Sequence, residues 1–204
     1  MAAHATQGER TEASRRRIIE AGIKVLADEG YRNMTVARIQ EVAGLSRGLV
    51  GYHFGGKQGL LEAIISGIRD DYINQVVNRL DSGDLSGLDS ILRMIETYLD
   101  RLGSQPDRHK VLLVLMVESL GELPELRPAS QSLNAVMRGQ FRGWLTKGTE
   151  DGTVRPDADP AVEAGLFEAL LRGITLQWLV DPDGFDLAAA KRRALDMTRR
   201  SLAP

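Results

Sequence analysis

The chain has 204 residues and a formal net charge of −2, enough length for one substantial core or two small domains. It contains no Cys, which excludes a disulfide framework and a thiolate zinc site and suits a reducing cytoplasm. The longest apolar run, VLLVLMV at 111–117, is far shorter than the roughly 20 residues that span a bilayer, and MAAHATQGERTEASRRR lacks the apolar segment of a secretory signal.

Residues 1–10 are expected to be a disordered arm. A first helix is predicted from about Thr11 to Glu29, with Ile18, Ile19, Ala21, Ile23, Val25 and Leu26 inside and Gly30 as its stop. Thr35 suits the cap of a second helix whose apolar face is Val36, Ile39 and Val42, and Gly44 supplies a left-handed end. Ser46 is read as the cap of a third helix that buries Leu49 and Val50 and turns Arg47, Tyr52 and His53 outward. Two short helices around a glycine turn, the second carrying exposed donors, form a helix-turn-helix whose second helix enters the major groove. A long helix is predicted over Lys57 to Leu80, then a polar loop, DSGDLSG at 81–87, as the best domain boundary. Further helices are predicted at about 87–103, 107–121, 124–148, 159–180 and 186–202, with Pro124 and Pro160 in first turns and Asp159 as a cap. The fold class is therefore all-α with about nine helices. The expected domains are a helix-turn-helix domain at 11–56 and a regulatory and dimerisation domain at 57–204.

Charge is distributed unevenly. Residues 1–57 hold nine Lys/Arg against six Asp/Glu, a net of +3 that leaves −5 for the remainder. An acidic body would turn the basic end toward DNA.

The stretch RRRIIEAGIKVLADEGYRNMTVARIQEVAGLSRGLVGYHFGGKQGLLEAII, about a quarter of the chain, resembles the TetR family of one-component bacterial regulators, most specifically in GLSRGLVGYHFGGKQGLL. The motif around GLVGYHFGGKQGLLEA is also similar to that of choline- and betaine-responsive members. The resemblance implies a cytoplasmic homodimer that binds a palindromic operator. It further implies a small-molecule effector that binds the C-terminal domain, spreads the recognition helices and releases the DNA. Two alternatives stand beside it: a dimeric DNA-binding regulator controlled by a protein partner, and a helical ligand-binding module without specific DNA binding.

By resemblance and position, Arg47 is the expected base contact, since a guanidinium can bond guanine bidentately. Tyr52, His53 and Lys57 are expected on phosphates, with Lys57 aided by the free amides of its helix start. Thr35 and Ser46 would offer hydroxyls or cap amides, Arg15–Arg17 would reach a flanking phosphate, and Arg38 is either solvated or on DNA. Val36, Gly48 and Gly51 complete the expected DNA-binding set. Gly51 stands where the family often has an aromatic, and with Gly48 it puts two glycines into a very short helix, each costing about 1 kcal/mol against Ala. The recognition helix is therefore expected to be loose until DNA orders it.

In the C-terminal half, Ala161, Gly165, Ala169 and Gly173 recur every four residues beside Val162, Leu166, Leu170, Ile174 and Trp178. The small strip admits a two-fold-related helix, and Ala190, Ala194 and Met197 of the last helix would join it in a four-helix bundle. The alternative is a helix buried within one protomer. Effector candidates are Met94, Tyr98, Leu113, Met116, Val117, Trp144 and Trp178, all of which also suit plain core. Glu118 could receive a cation, although a salt bridge to Arg108 or a solvated helix end is the favoured reading. His4, His53 and His109 are scattered without metal-ligand spacing, and no phosphate loop follows a strand. Neither an enzyme nor a metal or other cofactor is expected.

Overall fold

The computed structural model describes residues 6–46, 48–74 and 84–204. Among these residues the chain forms nine α-helices and one 3-10 turn, with no strand, in agreement with the all-α reading. It divides into two compact units, Met1–Ile68 with Val111–Ser130, and Arg69–Lys110 with Gln131–Pro204.

In the first unit, α1 (Gln7–Asn33) starts earlier than its apolar periodicity suggests. Thr6 and Glu9 form a reciprocal capping box, so Gln7–Arg10 are helical and the disordered arm expected over 1–10 is corrected there. Gly30, at φ 77° and ψ 173°, breaks the helix where the sequence predicted its end, and one further turn follows to Asn33. α2 (Val36–Ala43) is capped by the Thr35 hydroxyl, which accepts the Arg38 amide at 3.1 Å, and it ends at left-handed Gly44. α3 (Leu49–Phe54) differs from expectation. Its N-cap is Gly48 at φ 99°, so Ser46 is not the cap and Gly48 lies before the helix rather than within it. Left-handed backbone there needs the freedom of glycine.

α4 (Lys57–Tyr72) buries Leu60, Leu61, Ile64, Ile65 and Ile68, and crosses α1 where Gly22 leaves space beside the Ile64 Cδ1. Residues 75–80 of the predicted long helix and 81–83 of the predicted loop lie outside the described residues. Val111 and Leu115, with Leu123 and Leu126, complete this unit's core. The expected helix over 124–148 begins as a 3-10 turn at Pro124–Leu126 and becomes α-helical only from Arg127.

The second unit is built from α5 (Gly87–Ser104), most of α7 (Arg127–Glu150), α8 (Pro160–Val180) and α9 (Leu187–Leu202), while α6 (Pro106–Glu118) starts here and ends in the first unit. Ser86, Asp159 and Asp186 cap α5, α8 and α9, each side chain accepting a first-turn amide. The core gathers Ile91, Met94, Ile95, Leu99, Phe141, Leu145 and Leu171, and Phe141 stacks on Phe167 at 5.5 Å. Among the described residues no helix is long and apolar enough to cross a membrane.

Candidate DNA-binding and effector sites

The DNA-facing candidates belong to the first unit. Tyr52 on α3 is 77 % exposed, whereas Val50 behind it is fully buried, so α3 presents one face outward and seats the other in the core. His53 is half-buried, with Nε2 3.0 Å from the Ser14 hydroxyl of α1. Phe54 packs against the core with the Arg15 guanidinium 5.5 Å above its ring, and Arg17 donates to the Ala43 carbonyl at 2.7 Å. Two of the three consecutive arginines therefore contact the helix-turn-helix itself. Arg16 stays exposed on the rim of an open groove of about 590 Å³ lined also by Arg17, Glu20 and Lys24.

Thr35 and Ser46 are exposed and Val36 is half-buried. Arg47 lies outside the described residues. Arg38 is neither simply solvated nor free for DNA, because Glu29 and Glu41 each accept from it at 2.8 Å. Those hydrogen bonds, Glu29 first, push its pKa further up. Lys57 donates to the Tyr31 carbonyl at 3.3 Å and lies 3.8 Å over the Tyr31 ring, and burial lowers its pKa. Tyr31 is raised by burial and then by Glu125, Glu118 and Glu122. Gly48 and Gly51 are exposed, and a Cβ on Gly51 would meet nothing within 4 Å.

Ser14 was missed because a polar side chain on a helix reads as surface. The available signal was position: it stands one turn before Ile18, on the face that α1 buries.

The effector candidates divide between the two units. Leu113, Met116, Val117 and Glu118 belong to the first, while Met94, Tyr98, Trp144 and Trp178 belong to the second. Val117 is exposed, and Glu118 ends α6, its carbonyl accepting from Gly121 and Leu123. Trp144 sits edge-on to Phe141 at 5.9 Å, in core surroundings. Met94 and Tyr98 lie one turn apart on α5 in more polar company. The Tyr72 hydroxyl lies 3.4 Å from the Met94 sulfur, Tyr98 is 3.1 Å from Thr175, and His109 packs edge-on to Tyr98 at 5.0 Å. Thr175 gives its own proton to the Leu171 carbonyl, so Tyr98 donates to Thr175 and keeps oxygen lone pairs available. Burial raises the Tyr98 hydroxyl, with Thr175 opposing. Beside it, buried Glu168 accepts from Arg172 at 2.7 Å and faces Arg138 at 3.5 Å, and Arg172 also reaches Asn134. Glu168 and Arg172 were detectable as charges inside the largely apolar α8.

The expected dimer strip is rearranged. Val162, Leu166, Leu176 and Val180 are exposed together with Ala169 and Gly173, spaced by alternating fours and threes, while Ala161 and Gly165 lie alongside. A row spaced strictly by four drifts 40° per step on a 3.6-residue helix, so Leu170, Ile174 and Trp178 wind round onto the core. On α9, Met197 is exposed and Ala190 half-buried. Ala194 is 2 % exposed and packs inward, which removes it from the proposed interface.

Two family models match. One for bacterial regulatory proteins of the tetR family covers residues 18–64, and one for the C-terminal part of BetI-type transcriptional repressors covers 88–203. The chain is 30 % identical over 189 residues to the transcriptional regulator BetI 1 of Chromohalobacter salexigens, covering 93 % of this chain and 90 % of that protein. It is 28 % identical over 215 residues to the regulator TtgR of Pseudomonas putida, covering 96 % of each. In fold it is similar to a transcriptional regulator from Saccharomonospora viridis solved with choline, with TM-score 0.83, 22 % identity and coverage of 95 % of this chain and 99 % of that one. It is similar also to the regulator FadR of Bacillus subtilis solved with stearoyl-CoA, with TM-score 0.81, 19 % identity and coverage of 91 % and 98 %. Since both the helix-turn-helix and the body that follows it are matched, the chain belongs to the TetR family of bacterial regulatory proteins and is a DNA-binding transcriptional regulator.

Proposed function

We propose that the chain is a repressor that binds a palindromic operator as a homodimer in the bacterial cytoplasm and is released by a small-molecule effector. The reading rests above all on α3, a short helix that pairs an exposed Tyr52 with a buried Val50 directly after the capped α2 and its glycine turn. The DNA-binding domain is 11–56 and the regulatory domain 57–204. Tyr52, Thr35, Ser46 and Arg16 meet the backbone from exposed positions, and His53 from its seat against Ser14. Arg38 and Lys57 can do so only by exchanging the contacts they make to Glu29, Glu41 and Tyr31. Arg47 remains the proposed base contact. The effector binds in the second unit beside Met94, Tyr98 and Trp178, where phenol oxygens and ring faces favour a cation. Choline, the ligand of the Saccharomonospora viridis relative, is a first candidate.

The test is a gel-shift with the tightest duplex that the protein selects from a randomised library. Binding should fall with salt at a log–log slope of about 0.9 per neutralised phosphate, and choline should release the duplex. Absence of a selected duplex at low salt would sink the repressor reading. Specific binding that no small molecule reverses would favour control by a protein partner.

A further inference from the structure

We propose that Ser14 is a positioning residue for DNA binding, which fixes the tautomer of His53 so that the imidazole carries its proton on Nδ1 and donates it to a phosphate. The inference rests on the phosphate role proposed for His53. The two residues are 39 positions apart in sequence, yet the Ser14 Oγ lies 3.0 Å from the His53 Nε2, joining α1 to α3 in a part-buried contact. The ring has little freedom to turn away, because Tyr52 stands edge-on to it at 5.0 Å and Phe54 lies 5.9 Å from it beneath Arg15.

A neutral imidazole has one N–H and one bare nitrogen, and the partner of one nitrogen decides the state of the other. A phosphate oxygen only accepts. His53 can therefore serve a phosphate in its neutral form only if Nε2 is the acceptor and its partner supplies a proton. Ser14 can supply it. One turn earlier, Thr11 gives its hydroxyl proton to the Gln7 carbonyl at 2.9 Å. Ser14 makes no such bond to its own helix, and among the described residues His53 is its hydrogen-bond partner. Ser14 Oγ–H donates to Nε2, and the proton of the ring moves to Nδ1. Without that hydroxyl the ring reverts to the Nε2–H form that an unconstrained imidazole favours. It then turns a lone pair, not a donor, toward the DNA backbone. In this role Ser14 acts through His53 and not by a bond of its own to DNA.

The experiment uses the full chain labelled with ¹⁵N-histidine, in which long-range ¹H–¹⁵N correlations distinguish protonated from bare ring nitrogens. The chain has only three histidines, and His53→Gln identifies the relevant signal. For the neutral ring, the wild-type protein should show Nδ1 protonated and Nε2 bare, and Ser14→Ala should reverse them. Ser14→Ala should also bind the selected duplex about tenfold more weakly with an unchanged melting temperature, and Ser14→Thr, which keeps the hydroxyl, should restore both tautomer and affinity. A wild-type ring protonated on Nε2, or a tautomer unmoved by Ser14→Ala, would overturn the role of Ser14. If the tautomer follows Ser14 but His53→Gln binds the duplex like wild type, the phosphate role of His53 is what fails.

Discussion

Gly48 and Gly51 lie three residues apart at the start of α3, and a methyl group would act on them in opposite directions. Gly48 holds φ 99°, where an L side chain is strained by about 1–2 kcal/mol. Gly51 is inside the helix and faces open space, so Ala there removes backbone freedom from the unfolded chain at no steric cost, a gain of about 0.5–1 kcal/mol. Gly51→Ala should raise the urea midpoint and tighten duplex binding, while Gly48→Ala should lower both. Unchanged or weaker binding by Gly51→Ala would count against a recognition helix that DNA has to order. His109 yields a pH prediction. Burial lowers its pKa, the Gln105 carbonyl opposes, and Arg101 and Arg108 add to the lowering. The unfolded chain therefore takes up this proton at a higher pH than the folded chain does. Between those two pKa values the unfolded state holds more protons, so stability falls as pH drops. From about pH 7.5 to about pH 5.5 the wild-type urea midpoint should fall further than that of His109→Gln.

Among the elements, α5 and α7 cross through two glycines. A Cβ on Gly87 would overlap the backbone of Gly148 and the carbonyl of Trp144, and one on Gly148 would overlap Val154. The Gly87 amide donates to Asp151 at 2.8 Å, which closes the start of α5 onto the end of α7. Gly87→Ala should therefore cost about 1–3 kcal/mol through forced separation of the helices, read as a lower melting temperature with DNA contacts untouched. Neither glycine was marked by the sequence, since GLD and KGT look like ordinary helix and loop composition. α2 was the opposite case. Its cap, its apolar face and its left-handed end are local, three-residue relations that Thr35, Ile39 and Gly44 specify without help from the rest of the chain.

At the scale of the whole molecule, α8 carries a continuous exposed apolar strip. Leu166 is 59 % exposed and Val180 75 %, with Met197 of α9 exposed as well. Covered by a second copy, the strip forms an isologous contact, and this is the basis of the proposed homodimer. Leu166→Glu places like charges opposite one another across the two-fold axis. It should halve the mass seen by light scattering and abolish binding to a palindromic duplex, while the monomer keeps its helix content. A dimeric Leu166→Glu would remove α8 from the interface.

The sequence by itself determined the helical class, the caps of α2 and α8, the glycine stop at Gly44 and the helix-turn-helix, because each depends on neighbours within about one helical turn. Tertiary structure decided which polar residues are occupied. Arg15 and Arg17 read as a phosphate-seeking run until α1 was seen to lie against Phe54 and Ala43, and Ser14 acquired a role only when His53 came within 3.0 Å of it. It also decided which way α8 faces, since spacing gives the angle between two side chains around a helix but not which of them meets the core. Pairing across long stretches of chain depends on how the helices pack, and a pattern read along one helix does not carry that information.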